Sequence, residues 1–586
     1  MSSSLIPTST PARLTATAAV KLPRLVLLVV GTIYILAGLF FRDPWKADDV
    51  IGLATMLTAL SDPSGQALLL PQVGDLAHAQ DGPLTTWLGA LFITLFAPLL
   101  KLFTSELNAN IVASRLPNLL WFGMLAASVW HSAYWLARRP EAQPLRLPFG
   151  GEPSPTAYGR MIADATLLLT VATVGILWRM HETSEVPAII AFQALALYSL
   201  VRMFDRPASG AIMLGLSLGA CFLTRGWLGA GPIMLATVLC FIPRGPLRQH
   251  SQWLALSAVL TLAIIMAWWI PAKRVSVYWT EQWRLWHLAA WGWAGFKEQL
   301  NNLRDLLWFL WPTWPLALLA LWQWRSWFKA PHIYVPAISL LVPLLSLLFI
   351  RDAFEPEYAL LVVPCAVLAA FSLPTLRRGV VNTLDWFAIM CFSLTATTVW
   401  LGWIAQQTGW PRQISHNIAR QTQGYDTFIS WPVMIIAALG TLAWIALVRW
   451  RLSTNPPGLL RGTVLSAGGL ITTWLLLVTL WMPSLDYVRS YRDVSGELSA
   501  ALREHRQPGE CLRSWGLGSG QRASFLVFNN IKINFDNRCS LVLEQFSLRD
   551  LQDGKAPIPD NAVQLWQGKR GPDRHEAFRL LRVQAQ

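Results

Sequence analysis

Long apolar stretches recur along the whole chain, and short polar loops separate them. A helix needs about 20 consecutive apolar residues to cross the hydrocarbon core of a bilayer, and most of these stretches approach that length. Only 14% of the 586 residues are charged, whereas soluble domains usually carry about 25%. The sequence therefore predicts an all-α polytopic membrane protein.

The net charge of +14 is explained by membrane topology and does not indicate a nucleic-acid partner. Positive residues collect in cytoplasmic loops, and Arg13, Lys21 and Arg24 precede the first apolar stretch at residues 25–41. Residues 1–24 are rich in Ser, Thr and Pro and are predicted to be a disordered cytoplasmic N-terminus. No small-residue cleavage site follows residues 25–41, so this stretch is predicted to be an uncleaved first span.

The later stretches predict about 13 spans in a membrane domain of residues 25–483, because every loop then assigned to the cytoplasm is basic. The stretch at residues 85–103 does not fit as a crossing, since the next one, at residues 116–136, ends in the basic sequence Ala-Arg-Arg-Pro. We expect residues 85–103 to lie along the membrane surface or to re-enter it, and to cover the first external loop.

The tail at residues 484–586 has more charges, glycine-containing turns and short alternating runs. It predicts a periplasmic α/β domain of about 100 residues. Cys511 and Cys539 lie in this tail, where an oxidising compartment would allow a disulfide. The other four cysteines lie in apolar segments and are predicted to be small buried hydrophobic residues.

The first external loop, residues 42–84, is rich in carboxylates, namely Asp43, Asp48, Asp49, Asp62, Asp75 and Asp81. Asp48 and Asp49 open a helical pattern just beyond the first span. Such a pair at a membrane surface can act as a general base or bind a divalent cation. Alternatively, the two acids cap the helix, whose N-terminus favours negative charge. The residues alone leave both interpretations open.

Other polar residues of the external loops have two interpretations each. Asp75 and His78 lie three residues apart and either join a cation site or lie in solvent. Asp81 is either a substrate or cation residue or a solvated one, and the Gly82-Pro83 turn that follows would fold the end of the loop back towards its start. A second external cluster has the same alternatives, a substrate site or a solvated turn; it consists of Arg179, His181, Glu182 and Glu185.

Arg225 lies between two short apolar stretches and is flanked by Thr224 and Gly226. This pattern predicts a cation on broken helix ends, and a cation in the interior of a membrane protein is costly and usually functional. Its natural partner would be a phosphate. Four external cations near span ends either hold phosphate as well or contact lipid head groups; they are Lys273, Arg274, Arg284 and Arg351.

Five short motifs follow one another in the first half of the chain. They are A-D-D-V (47–50), D-G-P-L-T-T-W-L (81–88), R-L-P (115–117), H-E-T-S-E-V-P (181–187) and L-G-L-S-L-G-A-C-F-L-T-R-G (214–226). Their order resembles the GT-C superfamily of polyprenyl-phosphate-sugar-dependent glycosyltransferases. The likeness is greatest to the branch of aminoarabinose–lipid A transferases and protein mannosyltransferases.

The resemblance implies a GT-C fold and an inverting transfer of sugar from undecaprenyl or decaprenyl phosphate. The acceptor would be lipid A, another envelope glycan or a protein on the periplasmic side of the inner membrane. Asp48 matches the position of the catalytic base, with Asp49 as its neighbour in reserve. Arg225, and with it Arg351, would neutralise the leaving phosphate; Lys273 and Arg274 are added to this set as external cations.

The sequence departs from the family pattern at one motif. F-E-K-P-P-L reads A-Q-D-G-P-L at residues 79–84, so Gln80 and Asp81 replace the usual Glu–Lys pair. A divalent cation, the only cofactor considered, would then depend on Asp48, Asp81 or His78. Two alternatives to an enzyme remain, a transporter or flippase of a lipid-linked substrate and an inactive GT-C-like scaffold. The sequence shows no clear internal repeat of the kind transporters favour.

Overall fold

The structure is a computed structural model, which describes residues 10–19, 22–146, 150–242, 245–453, 460–534, 538–553, 555, 557–573 and 575–583. Its first half contains α1 (Arg24–Leu36), α2 (Asp48–Ser61), α3 (Gln66–Leu69), α4 (Leu84–Leu100), α5 (Glu106–Arg115), α6 (Pro117–Ala137), α7 (Pro155–Val171), α8 (Val174–Arg179), α9 (Val186–Met203), α10 (Pro207–Phe241), α11 (Ser251–Val275) and α12 (Val277–Ala290). The predicted all-α membrane domain is confirmed.

The membrane domain continues with α13 (Phe296–Phe309), α14 (Thr313–Gln323), α15 (Pro331–Ser346), α16 (Glu355–Ala359), α17 (Val362–Ser372), α18 (Arg378–Thr408), α19 (Arg412–Gln421), α20 (Trp431–Ser453), α21 (Arg461–Leu476) and α22 (Met482–Arg489). Among the described residues, eight helices are long and apolar enough to cross a membrane, or nine if α13 and α14 form one span bent by 93°. The predicted number of 13 spans is therefore not confirmed.

Helix α10 consists of two helical segments that meet at a kink at Arg225 and Gly226, as the two short apolar stretches predict. Arg225 has φ −135° and Gly226 has φ +56°, outside the helical region. A Cβ atom at Gly226 would lie 2.3 Å from Nε2 of His287 on α12. Only glycine allows both this backbone conformation and this close approach, so the break is determined by the sequence.

The first loop, residues 42–84, folds into α2, α3 and a two-stranded hairpin, β1 (Gln72–Val73) with β2 (Leu76–Ala77). Helix α4 follows and packs against α2 through Ile93 and Ala97. The amide of Gly82 donates to the carbonyl of Thr224 over 2.9 Å, which fixes the end of the loop beside the break in α10. That residues 85–103 do not cross the membrane stays a prediction.

The C-terminal region is the predicted α/β domain. It contains α23 (Arg492–His505), α24 (Ser519–Asn529), α25 (Leu548–Gln552), β3 (Leu512–Trp515), β4 (Leu541–Ser547), β5 (Ala562–Gly568) and β6 (Glu576–Val583). The sheet order is β3-β4-β6-β5, with β3 parallel to β4 and the other pairs antiparallel. Cys511, the residue before β3, and Cys539, just before β4, form a disulfide.

The described part of the N-terminal segment differs from the disorder expected for residues 1–24. Ala12 and Leu14 are buried against the membrane domain. The amide of Arg13 donates to the carbonyl of Pro374 over 3.0 Å, and the carbonyl of Ala12 accepts from the amide of Leu145. The apolar side chains among the Ser and Thr residues account for this packing. Residues 1–9, 20 and 21 lie outside the described residues.

Candidate active site at the start of helix α2

A small polar cavity lies where the N-terminus of α2, the end of the first loop, the α8–α9 turn and the break in α10 meet. Its volume is about 30 Å³. The charged, imidazole and amide side chains that line it are Asp48, His78, Gln80, Asp81, Glu185 and Arg225. The fold thus brings together candidates from three separate parts of the sequence.

Two larger cavities adjoin this one. A cavity of about 430 Å³ shares Phe354 with it and is bounded by Arg179 and Glu355. Another, of about 300 Å³, shares His78 with it and extends to Ser519 of the C-terminal domain. A substrate larger than a few water molecules therefore has room on either side of the carboxylates.

Asp49 is buried and fully bonded on the side of α2 away from the cavity. Its Oδ2 accepts from Arg42 at 2.9 Å and Arg115 at 2.7 Å. Its Oδ1 accepts from the amide of Thr183 at 2.8 Å and from the hydroxyl of the same residue at 2.9 Å. Burial opposes ionisation, but the two arginines and the amide hold the pKa of Asp49 below its ordinary value. Asp49 is an ionised structural carboxylate.

Asp48 faces the cavity, with 26% of its side chain exposed. Its Oδ2 accepts from Nη1 of Arg179 at 3.3 Å, and within the described chain Oδ1 has no hydrogen-bond donor. Burial raises the pKa of Asp48, and the nearby Asp81 adds to this, while Arg179 opposes it. One oxygen of this carboxylate is therefore open to a proton from a bound molecule.

The interpretation of the pair as helix caps is wrong for the described residues. The N-cap of α2 is Ala47, and neither acid makes a side-chain hydrogen bond to the amides of the first turn. Both acids stand in that first turn, where the helix dipole still favours their negative charge. Their positions one residue apart on a helix direct them to different surroundings.

The α8–α9 turn is buried, so the solvated alternative is wrong for three of its four polar residues. Glu182 accepts from Arg179 at 2.7 Å and from the indole of Trp178 at 2.5 Å. Arg179 also pairs with Glu355 at 2.7 Å. The guanidinium of Arg179 is therefore shared by three carboxylates, those of Asp48, Glu182 and Glu355.

His181 lies behind the cavity and not in it. Its ring nitrogens contact the carbonyls of Leu177 at 2.7 Å and Tyr34 at 2.8 Å. Burial and the charges of Arg42 and Arg115 lower the pKa of His181 to about 4. The ring is therefore neutral at pH 7 and donates only one of these hydrogen bonds, which is a structural role.

Arg225 is buried at the break in α10 and is surrounded by carboxylates. It contacts Asp81 at 2.7 Å, Glu357 at 3.2 Å and Glu185 at 3.4 Å. The rings of Trp286 and Phe354 each lie 5.3 Å from its guanidinium carbon. An incoming phosphate would have to replace one of the three carboxylates.

The carboxylates around Arg225 differ in their pKa values. Burial opposes ionisation of Asp81, but Arg225 and the hydrogen bond from His78, at 2.9 Å, lower its pKa to about 2. Burial and the charge of Asp81 raise the pKa of Glu185 well above its ordinary value. Asp81 is therefore the ionised partner of Arg225, and Glu185 is the carboxyl that gains a proton most readily.

The remaining phosphate candidates lie outside this cavity. Lys273 and Arg274 are exposed at the end of α11. Arg351 is exposed, and its Nε lies 2.4 Å from the position that a Cβ atom of Gly292 would occupy. Arg284 is exposed and pairs with Glu281. The structure thus leaves these four cations at the surface and buries Arg225.

In the arrangement observed, Asp81 has no free oxygen for a divalent cation. Both oxygens of Asp81 are used by Arg225 and His78. Over the ranges that the structure describes, there is no group of three or more His, Cys, Asp or Glu side chains arranged to hold a metal ion. A cation bound through Asp48, Asp81 or His78 stays a prediction.

Several residues of the site are not predicted from the sequence. Glu357 contacts Arg225 from 132 residues away, and Glu355 contacts Arg179. The Glu-Pro-Glu sequence at the start of α16 is the available signal, since proline commonly occupies the first turn of a helix. Arg115 belongs to the R-L-P motif, but the motif does not indicate which acid it pairs with.

Comparison with solved structures identifies the fold. Two crystal structures of ArnT from Cupriavidus metallidurans, one bound to undecaprenyl phosphate and one in the apo state, each superpose with a TM-score of 0.61. Their sequence identities are 12% and 13%, and each comparison covers 95% of this chain and 97% of the other. An oligosaccharyltransferase from Archaeoglobus fulgidus has a TM-score of 0.43 at 9% identity, over 88% of this chain and 64% of that one.

No protein-family model matches the chain, and no curated protein matches it in sequence. The chain therefore has the ArnT-like GT-C fold, as its motifs predict, over nearly its whole length.

Proposed function

We propose that this chain is a membrane glycosyltransferase that transfers a sugar from a polyprenyl phosphate donor to an acceptor on the external side of the membrane. The observation that carries the proposal is the state of Asp48, a cavity-facing carboxylate whose Oδ1 has no donor among the described residues. The ArnT-like fold supports it, since one ArnT structure contains undecaprenyl phosphate.

In the proposed reaction, Asp48 removes a proton from an acceptor hydroxyl or amine as that group attacks the anomeric carbon. The bond between this carbon and the phosphate oxygen breaks, and its electron pair leaves with the polyprenyl phosphate. Attack from the opposite face gives inversion. The proton ends on Asp48 and passes to water when the product leaves. This scheme requires no metal ion.

The surroundings of Asp48 suit a base. A general base works best when its pKa lies close to the working pH, and burial raises the pKa of Asp48 towards that range. The pair with Arg179, at 3.3 Å, leaves the carboxylate oriented and still ionisable. We do not propose Asp49 for this role, because both its oxygens already accept hydrogen bonds.

The leaving phosphate gains negative charge as the bond breaks, so cations near it lower the barrier. We propose that the exposed Lys273, Arg274 and Arg351 attract the donor phosphate to the membrane face of the site. Arg225 then contacts it in place of Glu185, which is its most distant carboxylate partner at 3.4 Å. A proton on Glu185 would help this exchange.

The acceptor classes are lipid A, another envelope glycan and a protein, all at the periplasmic face of the inner membrane. A test uses the purified full-length protein with undecaprenyl-phosphate-linked sugar and envelope extract. Release of undecaprenyl phosphate and the mass gained by the acceptor are measured together by mass spectrometry. We expect both products from the wild type, and Asp48→Asn to lower the rate by about 10²–10⁴-fold.

Asp75→Asn is the matched control, because Asp75 is an exposed carboxylate in the same loop. It should retain the wild-type rate. A flippase would move the donor across the bilayer without releasing polyprenyl phosphate, and an inactive scaffold would do neither. Either result in the wild type would refute the proposed transfer.

A further inference from the structure

The residues just before Asp48 are attached to the C-terminal end of the chain. Asp43 accepts from the hydroxyl of Ser490 at 2.7 Å and from Nε of Arg492 at 3.0 Å. The indole of Trp45 donates to Asp486 at 2.6 Å. The polypeptide that leads into α2 is therefore bonded to residues that lead into the C-terminal domain.

Glu576, the first residue of β6, makes a polar contact with Lys46, two residues before Asp48. Its Oε1 accepts from Nζ of Lys46 at 3.2 Å. The same buried carboxyl group also accepts from Gln521 on α24 at 2.6 Å, Gln545 on β4 at 3.0 Å and the hydroxyl of Tyr491, and it forms an ion pair with Arg570 at 3.3 Å. One side chain thus joins several elements of the domain to a single lysine of the membrane domain.

Helix α24 carries this connection to α2. Ala523 and Val527 are buried in the same apolar cluster as Val50 and Leu53 of α2. Gly520 lies against the stem of Lys46, because a Cβ atom there would be 2.9 Å from its Cγ. A shift of the domain would therefore move the first turn of α2, which carries Asp48.

We propose that Glu576 is a positioning residue, which locks the C-terminal domain onto Lys46 and so fixes the orientation of Asp48 two residues further along the chain. This inference rests on the proposed role of Asp48 as the base. The side chain of Lys46 is 36% exposed, and such ion pairs add little stability. Its main effect is geometric, because a base displaced by about 1 Å can lose about 100-fold in rate.

A purely structural role is the alternative, since the contacts of Glu576 within the domain also support its fold. Glu510 provides a matched control. It is a half-buried carboxylate with a comparable set of donors, Ser540 at 2.6 Å, the amide of Gln507 at 2.9 Å and Arg582 at 3.1 Å. All of them belong to the C-terminal domain, so Glu510→Gln tests the domain without touching Lys46.

The test measures release of undecaprenyl phosphate by the full-length protein and its variants. We expect Glu576→Gln and Lys46→Met to lower kcat by about 10- to 100-fold, with KM for the donor changed by less than about twofold. The double variant should be no slower than the slower single variant, since both break one contact. Lys46→Arg should restore most of kcat, and Glu510→Gln should keep the wild-type kcat.

A pH profile separates positioning from stability. Asp48 faces Arg179, Asp81, Glu355 and Arg225, and burial raises its pKa. If Glu576→Gln lets water reach Asp48, its pKa falls, and the acid limb of kcat/KM moves to lower pH. A variant that only unfolds a fraction of the molecules lowers kcat/KM at every pH and leaves the acid limb at its wild-type pH.

A wild-type kcat in Glu576→Gln would overturn this inference alone. The same holds if Glu576→Gln and Glu510→Gln lose equal amounts of kcat and the acid limb of Glu576→Gln does not move. Full turnover in Asp48→Asn, assayed alongside, would instead refute the proposed base and the inference with it. The two failures are therefore distinguishable.

Discussion

The first turn of α2 has two sides that hold adjacent carboxylates in different states. On one side, Asp49 is 1% exposed, and both its oxygens are bonded by Arg42, Arg115 and Thr183. On the other side, Asp48 faces a cavity with a single pair to Arg179. Successive residues on a helix point about 100° apart, so one peptide unit separates a fully bonded carboxylate from one that faces the cavity with an unused oxygen.

The difference in hydrogen bonding determines which of the two carboxylates can accept a proton. A buried carboxylate that is fully paired is held ionised and cannot accept a proton at neutral pH. A carboxylate with an unused oxygen and a raised pKa can. We propose that the Asp49 side supplies rigidity and the Asp48 side supplies chemistry.

The largest expected effect is on the Asp49 side. Asp49→Ala leaves Arg42 and Arg115 buried without their carboxylate, and breaking a buried pair in this way costs about 3–5 kcal/mol. We expect a marked fall in the melting temperature of the purified protein, followed by tryptophan fluorescence in detergent. Asp75→Ala is the control and should melt like the wild type. Equal melting of the two variants would mean that Asp49 is not the structural acid.

A smaller effect, on the pH dependence of activity, is expected when Arg179 is replaced. Arg179→Gln removes the cation that opposes the raised pKa of Asp48, so this pKa should rise further. A base acts only above its own pKa, so the acid limb of kcat/KM should move to higher pH, with about a tenfold loss on that limb for each pH unit. The control is Arg284→Gln at an exposed pair. An unmoved acid limb would mean that Arg179 does not influence the pKa of Asp48.

The smallest effect is expected at Glu185, which lines the Asp48 cavity. Its pKa is raised in the folded protein, so its stabilising, protonated form is present below the ordinary Glu pKa and is lost as the pH rises through the raised value. Glu185→Gln, which mimics that form, should raise the unfolding free energy by about 1 kcal/mol at pH 8 and leave it unchanged at pH 4. Equal stabilities at pH 8 would contradict the raised pKa.

Much of the local structure could be predicted from the sequence. The acid pair after the first span, the break at Arg225–Gly226 and the C-terminal α/β domain each depend on neighbouring residues. The motif order also predicted the GT-C fold. Local signals of this kind need no knowledge of how distant segments meet.

The pairing of charges could not be predicted in the same way. Glu357 reaches Arg225 and Glu576 reaches Lys46 only because the fold brings distant segments together. The different hydrogen bonding of Asp48 and Asp49 also depends on where Arg115 and Arg179 lie. The predicted span count is not confirmed, and hydropathy alone does not reveal that α13 and α14 meet at 93°.

One measurement tests the central claim most directly, the turnover per folded molecule of Asp48→Asn and Asp49→Asn, with folded protein counted by size-exclusion chromatography. The division of roles predicts that Asp48→Asn folds like the wild type and loses about 10²–10⁴-fold in turnover. Asp49→Asn should give less folded protein, and those molecules should keep turnover within about tenfold of the wild type. Full turnover in Asp48→Asn, or a normally folded but inactive Asp49→Asn, would contradict it.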